Sequence, residues 1–203
     1  MRIILIRHAE TDGNRHRFVG REDLPLNRHG QSQADRLAMT LAPHEISRIY
    51  ASPLERAIAT ARPTAAAKGL DIIVRPELIE IDFGALQGIP KGEKPFKLRR
   101  DHLYEPMPGG ESLHDVWQRL EGIADDLFAD ITAGVIPAVV GHYWSNRLLE
   151  ARLRGLAFDQ AIGKKATYKP ANASAHAMTF CPTGAGVVRF VASAWLGDAQ
   201  EMA

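Results

Sequence analysis

The chain has 203 residues, of which 45% are hydrophobic and 24% are charged, and this composition is ordinary for a globular protein. Its length suits a single domain, 1–203, with one sizeable core. The formal net charge of +1 provides no overall field that would attract nucleic acid or an anionic membrane. A single cysteine excludes an intramolecular disulfide, and we expect Cys181 to be a small buried hydrophobe.

No run of residues approaches the ~20 apolar residues of a membrane-spanning helix, and the first residues lack a signal-peptide pattern. We therefore expect a cytoplasmic protein whose partners include neither a membrane nor nucleic acid. Trp117, Trp144 and Trp195 suit the core as well as a subunit interface. The oligomeric state consequently stays open, with a homodimer among the options.

Short apolar runs bounded by turn residues predict the strands of the chain. They cover 3–6, 46–51, 71–74, 78–83, 137–141, 175–180 and 186–192. Apolar residues at helical spacing predict helices at 30–42, 54–68, 111–131 and 145–154. Polar, glycine-containing stretches predict loops at 9–30, 84–110 and 163–173. A loop as long as the first of these is usually functional or disordered.

Helix caps can be predicted at three positions. Ser52 is followed by Pro53, so we expect Ser52 as the N-cap and Pro53 at the first helical position. Gly69 is expected to end the same helix, because glycine adopts the left-handed conformation of a C-cap. Ser112 is expected to cap the helix that follows it.

Strands alternate with helices along most of the chain, a pattern typical of a mainly parallel sheet covered on both faces. The last two predicted strands are joined by a tight Pro-Thr-Gly link, which indicates an antiparallel edge. We therefore predict a three-layer α/β/α sandwich with a mostly parallel sheet and an antiparallel edge strand. In such folds ligands bind at the carboxyl ends of the strands.

Basic side chains follow three of the predicted strands. Arg7 and His8 follow the first, Arg56 comes one turn into the helix after the second, and His142 follows the run at 137–141. Because the ends of parallel strands lie side by side, we expect two imidazoles and two guanidiniums in one pocket. Gathering these cations is costly unless an anion occupies the site, and guanidinium groups match phosphate oxygens bidentately. The pattern predicts a phosphate-binding pocket.

Six segments carry an ordered series of motifs. They are RHAETDGN (7–14), FVGREDLPLNRHGQSQA (18–34), ASPLERAIATA (51–61), LIEIDFGALQG (78–88), PGGESLHDVWQR (108–119) and VVGHYWSNR (139–147). In this order they resemble the signature blocks of the histidine phosphatase superfamily, also called the phosphoglycerate mutase-like family. The resemblance covers most of the chain up to Arg147 and implies the phosphoglycerate mutase-like fold.

Two positions depart from the family's pattern. Ala9 stands where the family usually has glycine, and it is small enough for the backbone to approach a phosphate. Gly141-His142-Tyr143 stands where the family usually has Ser-His-Gly. Tyr143 is therefore expected among the substrate-binding residues, where its ring bears on substrate shape more than on the chemistry.

The resemblance implies that His8 is the nucleophile and forms a phosphohistidine. Arg7, Arg56 and His142 are implied to bind the phosphoryl group and to stabilise its charge during transfer. Asn14 matches a phosphate-contacting position of the family, and its ordinary alternative is a turn residue or a cap.

Glu80 matches the family's position for the acid that protonates the leaving oxygen, and Asp82 is the second choice. The ordinary alternative for Glu80 is a solvated strand residue. The resemblance implies no cofactor and no metal, because the cations of the protein do what magnesium does in kinases. A zinc site at His8 and His142 stays open as an alternative, although no His-x-Glu or Cys-x-x-Cys spacing supports it.

Family resemblance alone does not choose the reaction. Mutases of this family tend to be longer, so 203 residues favour the phosphatase branch. We predict a phosphomonoester hydrolase, a histidine acid-type phosphatase, that acts on a small phosphorylated metabolite. The alternatives are a cofactor-dependent phosphoglycerate mutase-type phosphotransferase and a non-catalytic phospholigand-binding protein.

The substrate is left open among phosphosugars, phosphoglycerate-like acids, nucleotides and a ribazole-type phosphate. The segment 84–110 is predicted to cap the site, and its basic run faces either a second anionic group or solvent. That run consists of Lys91, Lys94, Lys97, Arg99 and Arg100. Further cations of the first loop that suit the same purpose are Arg15, His16, Arg17 and Arg21. Histidines expected on the surface or in satisfied hydrogen bonds are His16, His29, His44, His102, His114 and His176.

Overall fold

The computed structural model describes residues 1–13, 16–90, 101–163, 168–183 and 187–198. Within them the strands are β1 (Arg2–Arg7), β2 (Arg48–Ala51), β3 (Ile72–Val74), β4 (Pro137–Gly141), β5 (Ser174–Pro182) and β6 (Val188–Asp198). The helices are α1 (Arg28–Leu41), α2 (Glu55–Lys68), α3 (Leu113–Arg119), α4 (Glu121–Thr132), α5 (Tyr143–Leu153) and α6 (Phe158–Ile162). None of these described helices combines the length and the apolar character needed to cross a membrane.

The described strands form one sheet in the order β3-β2-β4-β1-β5-β6. β1 pairs with β4, β4 with β2 and β2 with β3, all in parallel. β5 runs antiparallel to β1, and β6 runs antiparallel to β5. Helices cover both faces, so the predicted three-layer α/β/α sandwich with its antiparallel edge is confirmed.

The side chains of β1 alternate between two cores, one on each face of the sheet. Ile3 and Leu5 belong to the core shared with α3, α4, α5 and α6. Ile4 and Ile6 belong to the core shared with α1 and α2. All four are 2% exposed or less, and each such burial stabilises the fold by about 1.5–3 kcal/mol. These contacts hold β1 at the centre of the molecule.

The register of the central strands places the basic residues side by side. Arg7 lies opposite Gly141, so the residues that follow, His8 and His142, leave neighbouring strands at the same level. The backbone N–H of His8 donates to the Gly141 carbonyl over 2.9 Å, and the N–H of Ser52 donates to a carbonyl of β4 over 2.9 Å. The ends of β1, β4 and β2 therefore meet at one edge of the sheet.

The strand predicted at 78–83 is wrong. A turn of 3₁₀-helix covers Pro76–Leu78, and the chain then continues without regular structure to residue 83. Its carbonyls bond to groups outside the sheet: Nη2 of Arg119 donates to the Glu80 carbonyl over 3.2 Å, and the backbone N–H of Glu111 donates to the Asp82 carbonyl over 2.9 Å. Ile81 is completely buried. The apolar pattern thus indicated burial correctly but did not indicate strand pairing.

The helix predicted at 111–131 consists of two helices, α3 and α4, which meet at Leu120. Buried apolar residues continue on both sides of this junction, which is why the pattern reads as one helix. Ser112 caps α3 as expected: its side chain accepts from the N–H of Asp115, whose carboxylate accepts from the N–H of Ser112.

The predicted start of α2 is also wrong. The helix begins after Leu54, which is its N-cap, whereas Ser52 lies outside the helix. The Ser52 hydroxyl lies 2.7 Å from Nε2 of His142 instead. Gly69 ends α2 with φ of +65°, in agreement with the prediction.

The C-terminal third differs from the prediction in two places. Helix α6 was not predicted, because its five residues are too few for a periodic pattern. Cys181 was expected to be buried, but it is exposed. The burial of β5 ends at Phe180, so its last two residues lie beyond the part of the strand that the core covers.

The predicted cap segment, 84–110, is described only at 84–90 and 101–110. Met107 in this segment is 1% exposed, so its second half is packed into the core. The predicted basic run at 91–100 lies outside the described residues, as do Asn14 and Arg15.

Candidate active site

A cavity of about 330 Å³ opens at the carboxyl ends of the parallel strands. We name the buried charged part of the lining the floor; it consists of Arg7, His8, Arg56 and Glu80. We name the remaining, mostly apolar part the mouth; it consists of Arg17, Phe18, Val19, Gly20, Phe83, Tyr143 and Trp144. Small-molecule sites have volumes of about 300–1,000 Å³, so this cavity suits a small ligand.

His8 is held as a neutral imidazole with one free nitrogen lone pair. Its Nδ1 lies 2.7 Å from the Ala9 carbonyl oxygen, which can only accept, so Nδ1 carries the proton and Nε2 does not. Burial holds the pKa of His8 well below its usual value, and the charges of Arg56 and Arg7 lower it further. Nε2 of His8 is consequently able to act as a nucleophile at neutral pH.

The two arginines of the floor are fixed by backbone carbonyls. Nη1 of Arg7 donates to Pro170 over 2.9 Å. Arg56 donates to Glu22 over 2.6 Å and to Gly20 over 2.7 Å. Burial lowers the pKa of both guanidiniums, which still remain cationic at neutral pH. Nε of each arginine is buried with no hydrogen-bond partner among the described residues, so both retain a donor for a ligand.

His142 lies directly beside His8, with the ring centroids 5.0 Å apart. It is completely buried, and burial followed by the charge of Arg56 holds its pKa well below the usual value. Nε2 contacts the Ser52 hydroxyl at 2.7 Å, while Nδ1 has no hydrogen-bond partner within the described chain. Arg7, His8 and Arg56 therefore line one cavity as expected, whereas His142 lies beside His8 but outside the cavity lining, and the roles of all four stay predictions.

Glu80 is held at the N-terminus of α5. Its carboxylate accepts hydrogen bonds from the N–H groups of Tyr143 at 3.0 Å, Trp144 at 3.2 Å and Ser145 at 3.3 Å. The positive end of the helix dipole stabilises a negative charge at this place. Glu80 is 8% exposed and lies on no strand, so the alternative of a solvated strand residue is wrong.

Asp82, the second choice for the acid, lies outside the cavity lining. It accepts a hydrogen bond from Gly84 N–H at 2.8 Å and lies 3.5 Å from Arg21. Tyr143 does line the cavity, where its ring lies 5.5 Å from the Arg7 guanidinium carbon. The geometry therefore favours Glu80 over Asp82 and places Tyr143 beside the floor, while Asn14 falls outside the described residues.

The described arginines of the first loop are already bound to carboxylates. Arg17 forms a bidentate ion pair with Glu22, in which Nη2 lies 2.7 Å from Oε1. Arg21 lies 2.6 Å from Glu111 as well as close to Asp82. The charge that these cations would offer a second anionic group is largely balanced within the protein.

Some residues of the site escaped sequence reasoning. Ser52 was assigned to a helix cap, although its position directly after β2 at the same edge was a usable signal. Of the aromatic mouth only Tyr143 was predicted, because Phe18 and Phe83 lie on irregular segments with no periodic pattern. Of the histidines expected in ordinary surroundings, His176 departs: it is buried and stacks on Tyr168 at 4.8 Å, and its Nδ1 has no hydrogen-bond partner in the described chain.

The sheet order and the helices on both its faces are those of the phosphoglycerate mutase-like fold. A family model for the histidine phosphatase superfamily (branch 1) matches residues 3–193, and the chain belongs to that superfamily.

Curated relatives include both phosphatases and mutases. Phosphoserine phosphatase 1 of Hydrogenobacter thermophilus is 36% identical over 135 residues, which cover 63% of this chain and 64% of that protein. A bifunctional protein of Mycobacterium tuberculosis is 33% identical over 198 residues, which cover 94% of this chain and 53% of that protein. The chain thus spans less than two thirds of the length of either relative. The 2,3-bisphosphoglycerate-dependent phosphoglycerate mutase of Rhizobium etli is 30% identical over 174 residues, or 79% of this chain and 83% of that protein.

Solved structures with the same fold include phosphatases. A protein described as mycobacterial hydrolase 2 superposes with a TM-score of 0.85 at 26% identity, covering 98% of this chain and 91% of that one. Mycobacterial glucosyl-3-phosphoglycerate phosphatase in complex with inorganic phosphate superposes with a TM-score of 0.81 at 27% identity, covering 98% of each chain. The chain is therefore a histidine phosphatase superfamily member with phosphatase neighbours.

Proposed function

We propose that this chain is a phosphomonoester hydrolase, a histidine acid-type phosphatase that acts on a small phosphorylated metabolite through a phosphohistidine on His8. The observation that carries the proposal is the state of His8: its Nδ1 hydrogen bond to Ala9 leaves Nε2 unprotonated in a cavity with two arginines. Residues 1–203 act as one histidine phosphatase domain in this proposal, with 84–110 as a cap over the site.

In the first step Nε2 of His8 attacks phosphorus, the P–N bond forms and the ester P–O bond breaks. Arg7, Arg56 and the Nδ1 side of His142 stabilise the charge on the phosphoryl oxygens. The leaving oxygen takes a proton from Glu80, which acts as the general acid.

In the second step water attacks the phosphohistidine. The Glu80 carboxylate takes the proton from the water, the P–N bond breaks, and inorganic phosphate leaves together with neutral His8. The enzyme returns to its starting protonation state, so the cycle balances. Neither step calls for a group beyond the chain, its substrate and water.

The test is release of inorganic phosphate by His8→Ala. We expect turnover of glycerol 1-phosphate to be abolished, with an unchanged fold by circular dichroism, because the nucleophile is removed. His29→Ala, which changes an exposed histidine of α1, is the matched control and keeps its activity. Alkaline quench during turnover preserves the acid-labile P–N bond, and we expect mass spectrometry of the quenched protein to locate the added phosphoryl group on His8. Full activity of His8→Ala removes the covalent mechanism.

The alternative function, a phosphoglycerate mutase-type phosphotransferase, is supported by the similarity to the relative from Rhizobium etli. It predicts interconversion of phosphoglycerates that depends on a bisphosphate primer, and little release of phosphate. Primer dependence in the same assay would favour the phosphotransferase. Tight phosphate binding without turnover of any phosphomonoester would favour a non-catalytic phospholigand-binding protein.

A further inference from the structure

The mouth of the cavity differs chemically from its floor. Two pairs of rings line the mouth: Phe18 and Phe83 have centroids 5.2 Å apart, and Tyr143 and Trp144 have centroids 5.3 Å apart. The rings come from the first loop, from the irregular segment before residue 84 and from the start of α5. A ligand held by its phosphate on the floor therefore has these aromatic side chains as the nearest apolar surface of the same cavity.

The cation that lines the mouth is neutralised within the protein. Arg17 is held on both nitrogens of its fork by Glu22, and each of these side chains is about one third exposed. The Arg17 contact with the carboxylate of Glu22 lowers the pKa of Glu22, so the pair consists of two opposite charges at neutral pH. A carboxylate or a second phosphate on the substrate would have to compete with Glu22 for Arg17.

We infer that the site takes phosphomonoesters whose leaving group is uncharged and aromatic or apolar, and that the Arg17–Glu22 pair excludes leaving groups with a second anion. The inference rests on the proposed function and names its substrate class. Aromatic rings contact flat apolar groups favourably, whereas an anionic leaving group meets a cation, Arg17, that Glu22 already neutralises, and gains no free cation in the described part of the mouth.

The test compares substrates with similar leaving-group chemistry. Benzyl phosphate, glycerol 1-phosphate and 3-phosphoglycerate are all esters of alkyl alcohols, so differences in kcat/KM report contacts and not intrinsic reactivity. We expect kcat/KM for benzyl phosphate to exceed that for 3-phosphoglycerate at least about ten-fold, which corresponds to about 1.4 kcal/mol. Equal values, or a preference for 3-phosphoglycerate, overturn the inference.

The ion pair is tested by Glu22→Gln, which removes the carboxylate and leaves Arg17 with its charge. We expect kcat/KM for 3-phosphoglycerate to rise about three-fold or more relative to benzyl phosphate. Glu77→Gln is the matched control, because Glu77 also forms a bidentate pair at the same 33% side-chain exposure, and its partner Arg75, unlike Arg17, does not line the cavity. An unchanged ratio in Glu22→Gln overturns the role of the pair.

Two further measurements keep the inference open to disproof. If Glu22→Gln does not fold, Arg17→Gln removes the cation instead. We expect this variant to lower kcat/KM for 3-phosphoglycerate relative to benzyl phosphate, and a rise in that ratio contradicts the inference. If no substrate is hydrolysed, the proposed function fails, but calorimetric binding to His8→Ala still decides this point. Tighter binding of benzyl phosphate supports the inference, and tighter binding of 3-phosphoglycerate overturns it.

Discussion

The floor and the mouth of the cavity are built by different means. The floor is positioned by backbone carbonyls: those of Ala9, Pro170, Gly20 and Glu22 hold His8, Arg7 and Arg56. The mouth is formed by side chains from irregular segments and from the start of α5, and its cation is held by another side chain, Glu22. Backbone contacts persist through most substitutions, whereas a single substitution removes a side-chain contact. The floor is therefore suited to conserve one chemistry, and the mouth to change the substrate.

The largest effect that would test this difference between floor and mouth is expected at Glu80, the proposed acid of the floor. We expect Glu80→Gln to lower kcat/KM by about 1,000-fold, because a general acid contributes about 10²–10⁴-fold. The wild-type profile of kcat/KM against pH should be bell-shaped. Its acid limb, from protonation of His8, lies below the usual histidine value of about 6.5, since the pKa of His8 is lowered.

Asp82→Asn is the control for Glu80→Gln, because Asp82 lies outside the cavity and contacts Arg21 and the Gly84 amide. We expect this variant to keep the kcat/KM of the wild type. A loss of kcat/KM in Asp82→Asn that exceeds the loss in Glu80→Gln would transfer the role of the acid to Asp82.

The second test removes a cation of the floor together with its carbonyl contacts. Arg56→Met is expected to lower kcat/KM by about 100-fold, since one charge-stabilising donor contributes about 10²–10³. Stability should fall by about 1–3 kcal/mol, because the Gly20 and Glu22 carbonyls lose their donor. Arg62→Met on the same helix, whose side chain is 59% exposed, should change stability by no more than about 0.5 kcal/mol. Near-normal kinetics in Arg56→Met would separate Arg56 from the phosphoryl site.

The smallest effect concerns a residue that acts through another. Ser52→Ala leaves Nε2 of His142 without its 2.7 Å partner, and we expect about a ten-fold fall in kcat with KM within about two-fold. Ser52 is thus a positioning residue for the ring of His142. Ser47→Ala is the control. It removes a hydroxyl that accepts a hydrogen bond from Ile136 N–H at the other end of the sheet, and it should leave kcat and KM unchanged. A change confined to KM would contradict the positioning role.

The floor was predictable from the sequence because it depends on strand ends. An apolar run followed by Arg7 and His8, and another followed by His142, suffice to place these groups at one edge of a parallel sheet. Arg56, one turn into the helix after the second predicted strand, followed from the same argument, and the family resemblance then supplied Glu80, which periodicity alone would not select. In the structure, the register that sets Arg7 opposite Gly141 brings the ends of β1 and β4 to the same level.

The mouth could not be predicted, for a physical reason. The segment that carries Glu80 and Phe83 is shaped by contacts with the side chains of Arg119 and Glu111, far along the chain. Such contacts leave no local period in the sequence, so the segment was assigned to a strand. The Arg17–Glu22 pair is similarly invisible, because only the folded loop brings its two side chains together.

The backbone bond between His8 and Gly141 has a consequence for inactivation by heat. The two imidazoles follow adjacent strands at the centre of the sheet, so they separate only when the β1–β4 ladder itself breaks. Fraying of the outer strands leaves that ladder intact. Thermal loss of activity should therefore coincide with the cooperative unfolding of the whole molecule. The turnover that remains at a given temperature would then report the fraction of molecules that are still folded.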